Sequence, residues 1–236
     1  WFGAKNEKIE NISKVYLTAS GGPFLNTPIN KMKKIDISSA INHPNWKMGK
    51  KISVDSATMM NKVFEIMEAR NIFDINLKKL SILIHPKSYI HAIIKFNNGL
   101  VKIIAHDTTM EIPIFNSLYP SQSKTFKSEK INFEILNNLR FQKINIKRFP
   151  VTNILSWLEK KNSLYETVIV TANDTLVELF LNKKITFNQI SIILLKFLKS
   201  NNLKKFKQIE PKNLRDILKL NKYVRLKILS NVYKYL

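Results

Sequence analysis

Between Lys51 and Arg70 the chain sets hydroxyl, amide, ammonium and carboxylate groups at helical spacing: Ser56, Asn61, Lys62, Glu65 and Glu68. At roughly 100° per residue, Met59, Met60, Val63, Ile66 and Met67 share one face, with Asn61, Lys62, Glu65 and Glu68 opposite. The front of that polar face suits an anion. Hydroxyls and the free N–H groups of a first helical turn lie at the positive end of the helix dipole, and Lys62 adds an ammonium. Glu65, one turn beyond Asn61, could hold a cation close to the bound anion. An ordinary amphipathic helix with a solvated polar face fits the same pattern. Just upstream, Ile52-Ser-Val54 reads as a short β-prone run, with Asp55 and Ser56 as N-caps of the helix that follows.

The elements that must position these groups come in order along the chain. Val15-Tyr-Leu-Thr18 reads as a strand running into Ser20-Gly21-Gly22-Pro23, where tight backbone could present N–H groups to an anion or simply make a β-turn. A short helix is expected from about Thr27 through Met32. Pro44 and Gly49 bracket a polar loop whose apolar residues are Trp46 and Met48. Such a Trp either anchors its loop or caps a ligand, and His43 could donate to a phosphate or pair locally. The loop leads straight into the Lys51–Arg70 stretch and could fold over whatever binds there.

Leu80–Ile84 reads as another strand, and the apolar runs on either side of Asn97-Asn98-Gly99 predict a β-hairpin. His91 falls on one of its strands, as a core histidine or a support to a site. A helix-like segment ends at Tyr119. Residues 120–147 read as a linker with short strand pieces. Beyond Pro150 the pattern is helical: 151–160, 165–182, 187–200 and 213–235. The expected architecture is an α/β (α+β) catalytic domain with a mixed sheet over 1–119, the linker, and a C-terminal helical bundle domain over 148–236.

Composition bounds the rest. The chain has 236 residues and is 44% hydrophobic, a globular balance. No apolar run approaches the ~18–20 residues of a membrane-spanning helix. The absence of cysteine excludes disulfides and thiolate zinc sites. The start, Trp1-Phe-Gly-Ala, has neither a Met nor a signal-peptide pattern, so the chain reads as a fragment or processed product. A net charge of +22 is a footprint of nucleic-acid binding. Yet the excess is nearly all Lys, with Arg only at Arg70, Arg140, Arg148, Arg215 and Arg225, and Asn and Ile are abundant too. That pattern points to a genome-wide codon bias, because base- and phosphate-reading surfaces favour the Arg fork. A basic nucleic-acid-binding module remains the alternative.

Leu17-Thr-Ala-Ser-Gly-Gly-Pro-Phe24, His43-Pro-Asn-Trp-Lys-Met-Gly49, Lys51-Ile-Ser-Val-Asp-Ser-Ala-Thr-Met-Met-Asn-Lys62 and Leu83-Ile-His-Pro86 resemble blocks of the 1-deoxy-D-xylulose 5-phosphate reductoisomerase family, in the same order and near the same spacings. The resemblance implies an NADPH-dependent enzyme of non-mevalonate isoprenoid synthesis, using Mg2+, Mn2+ or Co2+ on a phosphorylated ketose. It also implies a cytoplasmic homodimer with no membrane or specific nucleic-acid partner. Ser20, Ser56, Asn61 and Lys62 would hold the phosphate and neighbouring hydroxyls, and His43 would contact substrate. Glu65 would ligate the metal and touch substrate hydroxyls, and Trp46 would be the lid. Met48, Gly49 and Met110 would lie on the nicotinamide side. The family's Gly-rich nucleotide domain and its other metal carboxylates are expected upstream of residue 1, so this stretch alone is expected to be inactive. An inactive remnant of the enzyme is the further alternative. Asp174 stands where the family pattern leads one to expect Glu.

Overall fold

The computed structural model describes residue 3 and residues 7–119 and 124–235. Pro120, where the linker reading begins, therefore lies outside the described residues, as do Trp1 and Phe2. In chain order the strands are β1 (Ile12–Ala19), β2 (Leu80–Ile84), β3 (Ile90–Phe96), β4 (Val101–Ala105) and β5 (Gln142–Lys143). They form one five-stranded sheet in the order β4-β3-β1-β2-β5. β1 and β2 run parallel, and every other pairing is antiparallel, so the sheet is mixed. The expected hairpin is β3–β4, turned at Gly99 with φ +89°. Within the stretch read as a linker, β5 adds the last strand of the sheet by pairing with β2.

A parallel pair needs a long crossover, and here it carries α1 (Ile37–Ile41), α2 (Lys50–Thr58) and α3 (Met60–Phe73). Two expectations are corrected at this point. Ile52-Ser-Val54 is not extended but lies inside α2, and the N-cap of α2 is Gly49, not Asp55 or Ser56. The β-branched residues gave a local strand signal, and burial of Ser53 and Val54 under neighbouring helices overrode it. The expected single helix is also broken. Met59 takes the left-handed conformation, φ 69°, and separates α2 from α3. The predicted apolar face holds, because Met59, Met60, Val63, Ile66 and Met67 are all buried. Such side chains stabilise by about 1.5–3 kcal/mol each when fully buried.

After β4 come α4 (Glu111–Leu118) and α5 (Phe133–Asn137). The C-terminal region is helical: a 3-10 segment over Pro150–Trp157, then α6 (Leu164–Leu181), α7 (Phe187–Leu198), the short α8 (Asn201–Lys204) and α9 (Leu214–Asn231). α6 is the central member, packed against α7 and α9 and also against α2 and α3. Its residues are therefore buried on most sides, including the polar Glu166, Thr171, Asn173 and Thr175. α7 opens with a capping box, in which Thr186 and Gln189 satisfy each other's backbone N–H groups. The helical region thus forms the back wall of the helices that carry the candidate site.

Candidate active site

Strand direction brings distant residues to one edge of the sheet. β1, β2 and β4 all end there, and β3 begins there. Ser20 follows β1, the His85–Ser88 turn follows β2, His91 is the second residue of β3, and His106 follows β4. The carboxyl edge of parallel strands is the usual seat of ligands in α/β sheets. A cavity of about 370 Å3 opens at this edge. Its lining includes Ser20, His43, Trp46, Met48, Ser56, Asn61, Lys62, Glu65 and Met110. Of the site residues that the family resemblance implies, Gly49 alone is not in that lining, and Glu68, which shares the polar helix face, is not in it either. Gly49 is the N-cap of α2 instead.

Donor and acceptor roles around Ser20 follow from the partners. His43 Nδ1 receives the backbone N–H groups of Asn45 and Trp46, both at 3.1 Å, so it carries a lone pair and Nε2 carries the proton. Nε2 lies 3.0 Å from Ser20 Oγ and donates to it. The N–H of Gly22 donates to the same oxygen at 3.0 Å. Ser20 Oγ is thereby a double acceptor whose own proton is free to be given to an anion in the cavity. Burial, and after it the Lys62 charge, pushes the His43 imidazole below its ordinary range, which keeps this neutral arrangement.

Gly21 and Gly22 have φ of +87° and +66°. A Cβ on Gly22 would stand 2.9 Å from the Ser56 carbonyl oxygen, so glycine lets the turn press against α2 beside Ser56. The break at Met59 has its own consequence. Because α3 starts at Met60, Asn61 and Lys62 occupy its first turn, where N–H groups lack intrahelical partners and the dipole is positive. The sequence expectation put that helix start at Asp55 and Ser56. The buried Asn61 carboxamide oxygen has no hydrogen-bond partner among the described residues. An acceptor left so costs about 1–3 kcal/mol, which a ligand hydroxyl or water would offset.

Some positions in the cavity lining escaped sequence reasoning. Ser88 lines the cavity with φ +53°, and Asn45 Nδ2 donates to both its Oγ and the Pro86 carbonyl, at 2.9 and 2.8 Å. Asn45 thus staples the Trp46 loop to the turn after β2. The signal was present in His85-Pro86, a turn directly after a strand. His91, expected as a core histidine or a support to a site, lines the cavity together with His106, which the sequence did not single out. Their rings stack with centroids 3.6 Å apart, and Trp46 stands edge-on to His91 at 6.2 Å. Burial, then His106, lowers the His91 pKa to about 4.

Both carboxylate oxygens of Glu65 meet Lys62 Nζ, at 2.6 and 2.7 Å. No group of three or more His, Cys, Asp or Glu that could hold a metal ion occurs among the described residues. A hard divalent cation takes six or more oxygen ligands. Glu65 offers one carboxylate, so the described residues do not by themselves make a metal site.

Residues 2–73 match the family model of the 1-deoxy-D-xylulose 5-phosphate reductoisomerase C-terminal domain. Residues 107–227 match that of the DXP reductoisomerase C-terminal domain. The chain belongs to the DXP reductoisomerase family. The 1-deoxy-D-xylulose 5-phosphate reductoisomerase of Pelagibacter ubique is 56% identical over 230 residues, covering 98% of this chain and 59% of that relative. That of Persephonella marina is 38% identical, covering 95% of this chain and 59% of its own length. A crystal structure of DOX-P reductoisomerase with NADPH, fosmidomycin and magnesium matches at a TM-score of 0.87 and 30% identity, over 98% of this chain and 57% of that one. The chain thus spans less than two thirds of the reductoisomerases it matches. The mixed sheet and the helical C-terminal region are those of the reductoisomerase fold.

Proposed function

We propose that this chain supplies the substrate cavity of a reductoisomerase converting 1-deoxy-D-xylulose 5-phosphate to 2-C-methyl-D-erythritol 4-phosphate in non-mevalonate isoprenoid synthesis. The observation carrying this reading is the single cavity on which Ser20, Ser56, Asn61 and Lys62 converge. In it, Ser20 donates its hydroxyl proton to a phosphate oxygen, and Asn61 and Lys62 offer first-turn N–H groups and an ammonium. His43 acts through Ser20 and lies in reach of the bound molecule. A phosphate fixed in this way orients a small, mobile carbon backbone, so remote binding energy serves the reacting end.

Trp46 and Met48 cover the cavity from the loop before α2, and Trp46 as lid would keep water from a reactive aldehyde. Met48, Gly49 and Met110 mark the proposed nicotinamide side, where bound NADPH would supply the hydride. Glu65 would give one oxygen donor to a divalent cation whose other donors lie outside the described residues. Occupation of Lys62 by phosphate would release Glu65 from their ion pair. The proposed organisation is a substrate domain over 1–119, a connecting segment over 120–147 and a helical domain over 148–236.

A homodimer is part of this reading. Among the described residues β4 is an edge strand, and it exposes Val101 and Ile103, a surface a second copy could cover. So is a cytoplasmic setting. No described helix is long and apolar enough to cross a membrane.

The test is loss of NADPH absorbance by the full-length enzyme with the ketose phosphate and Mn2+. Lys62→Met should raise KM about 10- to 100-fold, the worth of a charged hydrogen bond to phosphate. Absence of substrate-dependent NADPH oxidation by the unaltered enzyme would overturn the reading.

A further inference from the structure

The histidine pair at the cavity wall is built more elaborately than packing requires. His91 sits at the register shift of the β3–β4 hairpin, between Ile90 and Ala92, and His106 follows β4 with its N–H donating to the Tyr89 carbonyl at 3.2 Å, so the irregular end of the hairpin brings them side by side. The rings are stacked nearly parallel, their planes 10° apart with centroids at 3.6 Å. His91 Nε2–H donates to the His106 carbonyl at 3.1 Å, and His106 Nδ1–H donates to the Asp107 carbonyl at 2.7 Å. Each ring therefore has its donor nitrogen fixed by backbone. With Nε2 spent, Nδ1 is the ring acceptor left to His91, and it has no hydrogen-bond partner among the described residues.

The two rings also form a partition. Both line the polar cavity, and both line a neighbouring apolar cavity of about 410 Å3 between the sheet, α3 and α4. Without the His106 ring, the His91 imidazole would have open apolar space to swing into. The charged and titratable groups acting on His91 are Lys62 on α3, His85 at the end of β2 and His106. Burial, then these neighbouring charges, disfavours a proton on it and outweighs the His106 carbonyl, which favours one, so the ring is held as a neutral imidazole.

We propose that His106 is a positioning residue for His91: its ring face and its carbonyl oxygen together hold the His91 imidazole in one tautomer and one orientation on the cavity wall, with Nδ1 kept as an acceptor for a substrate hydroxyl. The positioning rests on ligand-free geometry. Only the substrate contact rests on the reductoisomerase reading, and the measurements separate the two.

The first measurement is imidazole 15N–1H correlation spectroscopy on the ligand-free, full-length protein. The unaltered protein should show His91 as a single Nε2–H tautomer. His106→Leu fills the same space without a stacking face, and should give exchange between the two His91 tautomers. His106→Phe keeps the face and should restore the single form. All three keep the backbone carbonyl, so the ring is what is tested, and His106→Ala serves if the Leu variant does not fold. An unchanged His91 tautomer in the Leu variant, or in the Ala variant where it stands in for Leu, would overturn the proposal. The second measurement is turnover. His106→Leu should raise KM for the ketose phosphate about fivefold, the scale of one aromatic pair, with rescue by His106→Phe. If the tautomer loosens and KM does not move, the substrate contact is overturned and the positioning stands. If the enzyme turns over no ketose phosphate at all, the reductoisomerase reading fails and the spectroscopic result still decides the positioning.

Discussion

Ser20 and His91 show how a side chain's neighbours decide what it has left to offer. Two donors already converge on Ser20 Oγ, so its proton can only be given away. Ser20→Ala should therefore raise KM about tenfold, the worth of a hydrogen bond to a charged oxygen, while a thermal melt shows little change. His91 makes a prediction about pH. Its pKa is about 4 in the folded chain, against 6.5 for a free imidazole. Between those values the unfolded chain takes up a proton that the folded chain refuses, so stability falls as pH drops from 7 towards 4. The full loss is roughly 3 kcal/mol, measured by urea unfolding at several pH values, and His91→Phe should flatten that slope. At this scale the sequence was informative about which residues meet, since Ser20, Lys62 and Glu65 all line one cavity. It said little about His106, whose significance lies in a ring facing it from another strand.

Elements were legible where punctuation was local. Asn97-Asn98-Gly99 turns the hairpin, and Gly21-Gly22 turns the chain out of β1, because positive φ favours glycine. The break between α2 and α3 left no such mark. Met59 adopts a left-handed conformation that a long side chain avoids, held there by buried packing on both sides. Only tertiary structure reveals it, and the start of the helix facing the cavity moves to Met60 as a result. Ile52–Val54 was misread for a related reason, since local strand propensity gave way to burial. Gly22 tests the coupling of turn to helix. Gly22→Ala would place a methyl 2.9 Å from the Ser56 carbonyl, on backbone with φ +66°. Strain of about 1–3 kcal/mol is expected, lowering the melting temperature. KM should rise with it, because the displaced segment carries Ser56. A lower melting temperature with unchanged KM would show that α2 absorbs the strain away from the cavity.

Across the whole molecule, the polar joints between the site helices and the helical region are invisible to sequence patterns. Asn173 Nδ2 donates to the buried Asp55 carboxylate at 2.7 Å, although the two residues lie 118 apart in the chain. Lys51 bridges Asp55 and Asp174 at 2.8 and 2.9 Å, so the Asp found where Glu was expected still closes an ion pair onto α2. The net charge of +22 was conspicuous in the sequence and located none of these contacts. The sharpest test of this back wall is Arg70, at the end of α3, which pairs with Glu166 on α6. Both are nearly buried, at 4% and 7% exposure, and Asn71 adds a bond to the Glu166 carboxylate at 3.1 Å. Removing one partner leaves the other charge in a poorly solvated site, so Arg70→Met should cost about 3–5 kcal/mol. Replacing both, as Arg70→Met with Glu166→Leu, removes the stranded charge along with the pair and should recover most of that loss. Urea unfolding of the two variants measures the difference. Asn61, Lys62 and Glu65 sit one to three turns back along the same helix, so KM should stay near its original value wherever the single variant remains folded. If the double variant is as unstable as the single one, packing of the Arg70 stem, and not the stranded carboxylate, is what joins α3 to α6.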